Sequence, residues 1–116
     1  MTTVHIDRTA VMSFLIDRVN TFAKWDVVRY FYDNPETVDH QRTIAQCVGR
    51  ELSAVQTALD ELAEAGVLIL VSRRPPRLYR LTHDTDIRTL IDQFMIAVED
   101  QQFRMMAIQR IMAELP

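Results

Sequence analysis

Two glycines and four prolines among 116 residues leave little turn material for a sandwich or barrel. Abundant Ala, Leu, Ile, Met, Arg, Glu and Gln favour helices instead. The single cysteine, Cys47, rules out an intramolecular disulfide. No apolar run approaches the roughly 20 residues that a bilayer span needs, because charges interrupt every segment. The N-terminus lacks the basic flank and unbroken apolar stretch of a signal peptide. These absences predict a soluble, cytoplasmic protein with no membrane partner. Catalytic signatures are missing too, with no glycine-rich phosphate loop, nucleophile elbow or His–carboxylate pair at a motif spacing, so the reading is that the chain is not an enzyme. His5, His40 and His83 lie in separate segments without ligands at metal spacing, so neither metal nor cofactor is expected. Cys47 has only Arg50 near it in sequence to lower its pKa, and it reads as a small buried hydrophobe rather than a redox switch.

What is present is a 48% hydrophobic composition, enough for one cored unit. The formal charge of −3 argues mildly against a polyanionic partner. Its distribution argues the other way. Residues 50–82 carry Arg50, Arg73, Arg74, Arg77 and Arg80 against four acids, whereas residues 83–116 carry three arginines against six acids. Screening over roughly 8 Å at physiological salt lets such a patch act with some independence of distant acids.

Hydrophobic periodicity divides the chain into three parts. In residues 1–23, Val11, Phe14, Leu15, Val19 and Phe22 recur at helical steps and mark an N-terminal helical arm. Residues 24–83 hold a helix from Lys24 to Tyr32, closed by Asp33-Asn34-Pro35. A short helix follows around Ile44, Ala45 and Val48, with Thr37 or Asp39 as candidate N-cap and Gly49 as its stop. The next helix runs from about Leu52 to Ala65, with Val55, Leu59 and Leu62 inward. Strands at Val67–Ser72 and Leu78–Thr82 then flank the polar connection Arg73-Arg74-Pro75-Pro76-Arg77 as a hairpin with a basic tip.

Residues 84–116 contain no glycine and no proline before the last position. They predict one long C-terminal helix over 86–115, capped by Thr85 or Asp84. Along it Ile91, Phe94, Val98, Gln101, Met105, Ile108, Met112 and Leu115 keep heptad spacing, which predicts a dimer seam with Gln101 as a register-setting polar residue. Met95, Ile96, Phe103, Met106 and Ile111 widen that face. The fold class is therefore mainly α with a small β-hairpin, a helix-turn-helix with a wing.

The spacing Ala45, Gly49, Val55, Leu59 suits a helix-turn-helix on physical grounds. Ala45 allows close helix approach, Gly49 tolerates positive φ in the turn, and Val55 and Leu59 anchor the second helix. Its continuation is Glu64-Ala65-Gly66-Val67, and the second strand ends Tyr79-Arg80-Leu81-Thr82. Together these resemble the bacterial and archaeal winged-helix regulators of the broad MarR, ArsR and PadR type. In those proteins an "EAG-hydrophobic" stop ends the recognition helix and a "YxLT" strand ends the wing. The resemblance covers about half of the chain and leaves the subfamily open.

The resemblance implies a homodimeric transcriptional regulator that binds double-stranded DNA, its recognition helix (about 52–65) in the major groove and its wing (67–82) on the backbone or minor groove. By position, Ser53, Ala54, Gln56 and Thr57 would face base edges, with Gln56 bonding adenine in bidentate fashion. Arg50, Arg73, Arg74 and Arg77 would face phosphates. The chain departs from the family on the outer face of this helix, where Thr57, Asp60 and Glu61 stand in place of cations and Glu51 takes the N-cap. Carboxylates there repel phosphates. The sequence thus leaves a second use open, a winged-helix protein-protein interaction module without autonomous DNA binding. A small-molecule effector is neither indicated nor excluded.

Overall fold

Polar side chains at the right positions start the first two helices. In the computed structural model, which describes residues 6–115, Asp7 accepts a bond from the Ala10 amide at 3.1 Å and opens α1 (Arg8–Arg18). Thr21 does the same for the Lys24 amide and opens α2 (Phe22–Asp33). Both satisfy helix-end donors that would otherwise have no partner. The two helices bury Val11, Phe14 and Leu15, and Val27, Val28 and Phe31, respectively.

A two-residue strand, β1 (Asp39–His40), precedes α3 (Gln41–Val48). This strand departs from the sequence reading, which took Thr37 or Asp39 as the cap of α3. His40 occupies the cap position without a side-chain capping bond. Asp39 is instead bound by the Tyr30 hydroxyl and, at 2.9 Å, by the Thr37 hydroxyl. Gly49 ends α3 at φ +71°, and Gly66 follows α4 (Leu52–Glu64) at φ +79°, both in the left-handed region that glycine enters without steric penalty.

Strands β2 (Leu68–Ser72) and β3 (Leu78–Leu81) form the hairpin, and β1 adds to its far side to give an antiparallel sheet of order β1-β3-β2. Tyr79 lies opposite both Asp39 and Leu70. Helices α2, α3 and α4 pack on one another, and α4 also packs on β2. This mainly α arrangement with a small antiparallel sheet is a winged-helix fold.

The C-terminal region corrects the sequence expectation. In place of one helix over 86–115 there are two, α5 (Thr85–Ala97) and α6 (Gln101–Ala113). Asp84 caps α5, accepting from the Asp86 and Ile87 amides. At the break, Asp100 caps α6 by accepting from the Phe103 amide at 3.4 Å, and Arg104 Nη1 donates to the Val98 carbonyl at 3.2 Å. Local propensity permits a continuous helix, since neither glycine nor proline intervenes. Packing overrides it: the turn carries Phe103, Ala107 and Ile111 back into the core, all at most 2% exposed, with α6 against α1. Burying Phe103 and Ile111 is worth about 1.5–3 kcal/mol each.

The core is one cluster that runs from Val11 in α1 through α2, α4 and the sheet to Ile111 in α6. Trp25 of α2 meets Phe94 of α5 edge to face at a centroid distance of 5.1 Å, which fastens the winged unit to the C-terminal helices. No helix among the described residues is long and apolar enough to cross a membrane.

Candidate nucleic-acid interface

Helix α4 turns Val55, Ala58, Leu59 and Leu62 into the core. The 3.6-residue period therefore puts Ser53, Thr57 and Glu64 on the opposite side, and all three are exposed. Ala54 and Gln56 lie on the flanks, half-buried. The Thr57 hydroxyl donates back to the Ser53 carbonyl at 3.1 Å.

Gln56 departs from its expected role. Its Nε2 donates to Asp60 Oδ1 at 2.9 Å and to the Tyr79 hydroxyl at 3.1 Å. An amide nitrogen has two hydrogens, so both are committed and none remains for adenine N7. A bidentate adenine contact is incompatible with this geometry. Tyr79 in turn donates to Asp60 Oδ1 at 2.9 Å, and Arg77 Nη1 stands 3.5 Å from the same oxygen. Burial pushes the Tyr79 phenol above its ordinary pKa, which keeps it a donor to the carboxylate.

Asp60 is thus the joint between α4 and the wing, gathering Gln56 from its own helix and Tyr79 and Arg77 from the hairpin. Its neighbour Glu61 is also engaged. Lys24, the only lysine of the chain, reaches Glu61 Oε2 at 2.6 Å and Asn20 Oδ1 at 2.8 Å, and it is only 7% exposed. Two of the three carboxylates that the sequence sets against phosphate binding, Asp60 and Glu61, are thus turned to partners inside the chain. Glu51 precedes α4, exposed and making no capping bond.

The four arginines expected at phosphates divide into two pairs. Arg50 Nε sits 2.5 Å from Asp26 Oδ2, and Arg77 is shared with Asp60. Arg73 and Arg74 lie at the exposed wing tip and form no ion pair among the described residues. Arg80 faces the other side of β3, half-buried, with its Nε enclosed and without a hydrogen-bond partner among the described residues.

The expected dimer seam is also divided. Ile91 and Phe94 are buried in the chain's own core at 1% and 0% exposure and are not available to a partner. Val98 is half-buried at the end of α5. Gln101, Met105, Met112 and Leu115 are exposed and Ile108 is half-buried. Cys47 is exposed on α3, not buried, because the core face of this short helix is supplied by Ile44 and Ala45. Among the described residues no group of three or more His, Cys, Asp or Glu could hold a metal ion; His5 lies outside them.

The spacing of Gln56 and Asp60, four apart on one helix, signals their bond in the sequence. Nothing local signals Tyr79 or Lys24, whose roles depend on how the sheet and α2 pack against α4.

No protein-family model matches the chain, and no curated protein matches it. Among solved structures it is similar to a possible transcriptional regulator from Methanosarcina mazei Go1, with a TM-score of 0.51 and 18% identity over 74% of this chain and 76% of that one. At that identity the likeness establishes a shared fold.

Proposed function

We propose that this chain is a DNA-binding transcriptional regulator that acts as a homodimer, with α4 in the major groove and the wing tip on the phosphate backbone. The observation that carries this reading is the internal pairing of Asp60 and Glu61. It offsets the charge of two of the three carboxylates of the α4 surface, Glu51 being the third, while Arg73 and Arg74 stand exposed at the wing tip. The similarity in fold to a possible transcriptional regulator supports the same reading.

Dimerisation runs along α6. Opposite its buried Phe103, Ala107 and Ile111, the helix presents Gln101, Gln102, Met105, Ile108, Gln109 and Met112 without a single charge. A helix face of that composition suits a second copy of itself, and a two-fold pair then sets the spacing of two half-sites.

Titrating salt against binding to a random duplex pool, with sequencing of what is retained, tests the proposal. Counterion release predicts a log-log slope of about −4 if Arg73 and Arg74 alone act in each subunit of a dimer, and of about −7 if Arg50 and Arg77 join them. Enrichment of a two-fold symmetric motif is the expected outcome. The pairing of Arg50 and Arg77 with acids favours a second reading, a protein-protein interaction module, and the absence of any retained duplex at low salt would select it.

A further inference from the structure

We infer that α4 reads DNA by accepting hydrogen bonds, so that it selects bases presenting an amino group in the major groove, adenine N6 or cytosine N4. This rests on the DNA-binding reading above and names what that surface recognises.

Three side chains carry the inference. Gln56 has both amide hydrogens committed, to Asp60 and Tyr79. The orientation of the amide follows from chemistry: a carboxylate only accepts, so the nitrogen must face Asp60 and the carbonyl Oε1 is the atom left for a ligand. Thr57 is exposed and spends its hydroxyl hydrogen on the Ser53 carbonyl, so its oxygen too offers lone pairs. Glu51, exposed at the entering end of the helix, is an acceptor whenever ionised. Meanwhile Leu52–Glu64 contains no arginine or lysine, the residues that most often bond guanine O6 and N7.

In the major groove guanine offers only acceptors, thymine an acceptor and a methyl, whereas adenine and cytosine each offer one amino donor. Every base pair holds one such donor, so what an acceptor surface distinguishes is the strand that carries it. At the positions facing Gln56 and Thr57, adenine and cytosine are interchangeable, and guanine and thymine are rejected. The same Asp60 hub that removes bidentate adenine recognition therefore creates a two-base code.

The test uses the motif recovered from the random duplex pool, rebuilt with single-atom changes at those positions. Purine in place of adenine, or 2-pyrimidinone in place of cytosine, deletes the amino group and is expected to lower affinity about fivefold to tenfold, the worth of one hydrogen bond. Replacing adenine by 7-deazaadenine deletes only the N7 acceptor and is expected to change affinity by less than about twofold. Asp60→Ala frees the Gln56 amide, so that variant is expected to become sensitive to 7-deazaadenine and to prefer adenine over cytosine. The base analogues with the unaltered protein decide the question even where Asp60→Ala fails to fold. A 7-deazaadenine loss as large as the amino-group loss, abolished by Gln56→Ala, overturns the inference, as does a motif whose α4 positions retain a base pair equally well in both orientations. Both leave the DNA-binding reading intact. A pool with nothing retained overturns that reading itself.

Discussion

The wing tip and the outer face of α6 both lie outside the protein's own core, and their chemistries are opposite. Between β2 and β3 the chain reads Arg73-Arg74-Pro75-Pro76-Arg77, three cations around two prolines. Along α6 it exposes Met105 at 48% and Met112 at 58% among glutamines. A guanidinium in water is well hydrated and needs no further partner to be stable. A row of methionines loses the stabilisation that burial would bring, about 25 cal/mol for each Å² kept wet. The first surface is complete alone and suited to a charged ligand; the second is completed by another apolar surface.

The sharpest way to break that comparison is to contrast two residues that share a heptad register. Phe94→Ala opens a fully buried site and is expected to destabilise the fold by about 3–5 kcal/mol in urea denaturation. Met112→Ala, on the exposed face, should change monomer stability by less than about 0.5 kcal/mol. Similar losses at both positions would mean that α6 has no free face. Next in size, Met105→Glu with Met112→Glu places like charges across the proposed contact. The dimer dissociation constant should rise about a hundredfold in sedimentation experiments while helicity by circular dichroism holds, since like-charge juxtaposition costs several kcal/mol. A dimer that survives this change has its interface elsewhere.

At the wing, Arg73→Ala with Arg74→Ala should reduce DNA affinity almost uniformly across sequences and make the salt slope shallower by about 4 for a dimer. Arg77→Ala is expected to do less, because that guanidinium already shares Asp60 and its release of counterions on binding is partial. Equal effects at all three positions would mean that the Asp60 contact does not survive binding.

How much of this was readable beforehand follows the range of the forces involved. Helices α1 to α4 and the hairpin can be read because apolar stripes and the stops at Gly49 and Gly66 act within a turn or two of chain. The break at Val98-Glu99-Asp100 could not, since a sequence free of glycine and proline is compatible with either outcome. Contact of Phe103 and Ile111 with α1, some ninety residues away, decides between them. The site divides in the same way. Arg73 and Arg74 lie exposed on the wing that the turn residues announce, whereas the internal roles of Gln56, Arg50 and Arg77 depend on Tyr79, Asp26 and Asp60, which lie on other elements. A heptad count likewise could not tell that Ile91 and Phe94 face inward while Met105 and Met112 face out, because the count presumes the continuous helix that the fold does not form.

The smallest expected effect tests what polar contacts contribute to one half of the fold. The winged half adds polar contacts, Tyr30 with Asp39, Lys24 with Glu61 and Tyr79 with Asp60, to the apolar cluster that it shares with α1, α5 and α6. Burial, with the bond to Asp39 adding to it, pushes the Tyr30 phenol up to about 12 from an ordinary value of 10.0. A pKa raised on folding means that the folded state holds the proton more tightly than the unfolded one. The stability from that contact is therefore fully present below pH 10 and declines as pH rises from 10 towards 12. Tyr30→Phe should start from a lower stability at neutral pH and lose less across that window than the unaltered protein. Hydrogen exchange localises the difference: between pH 10 and 12, protection should fall first in α2 and β1 and persist in α5. Loss that begins in α5 instead would mean that the Tyr30–Asp39 contact is not what rising pH releases first.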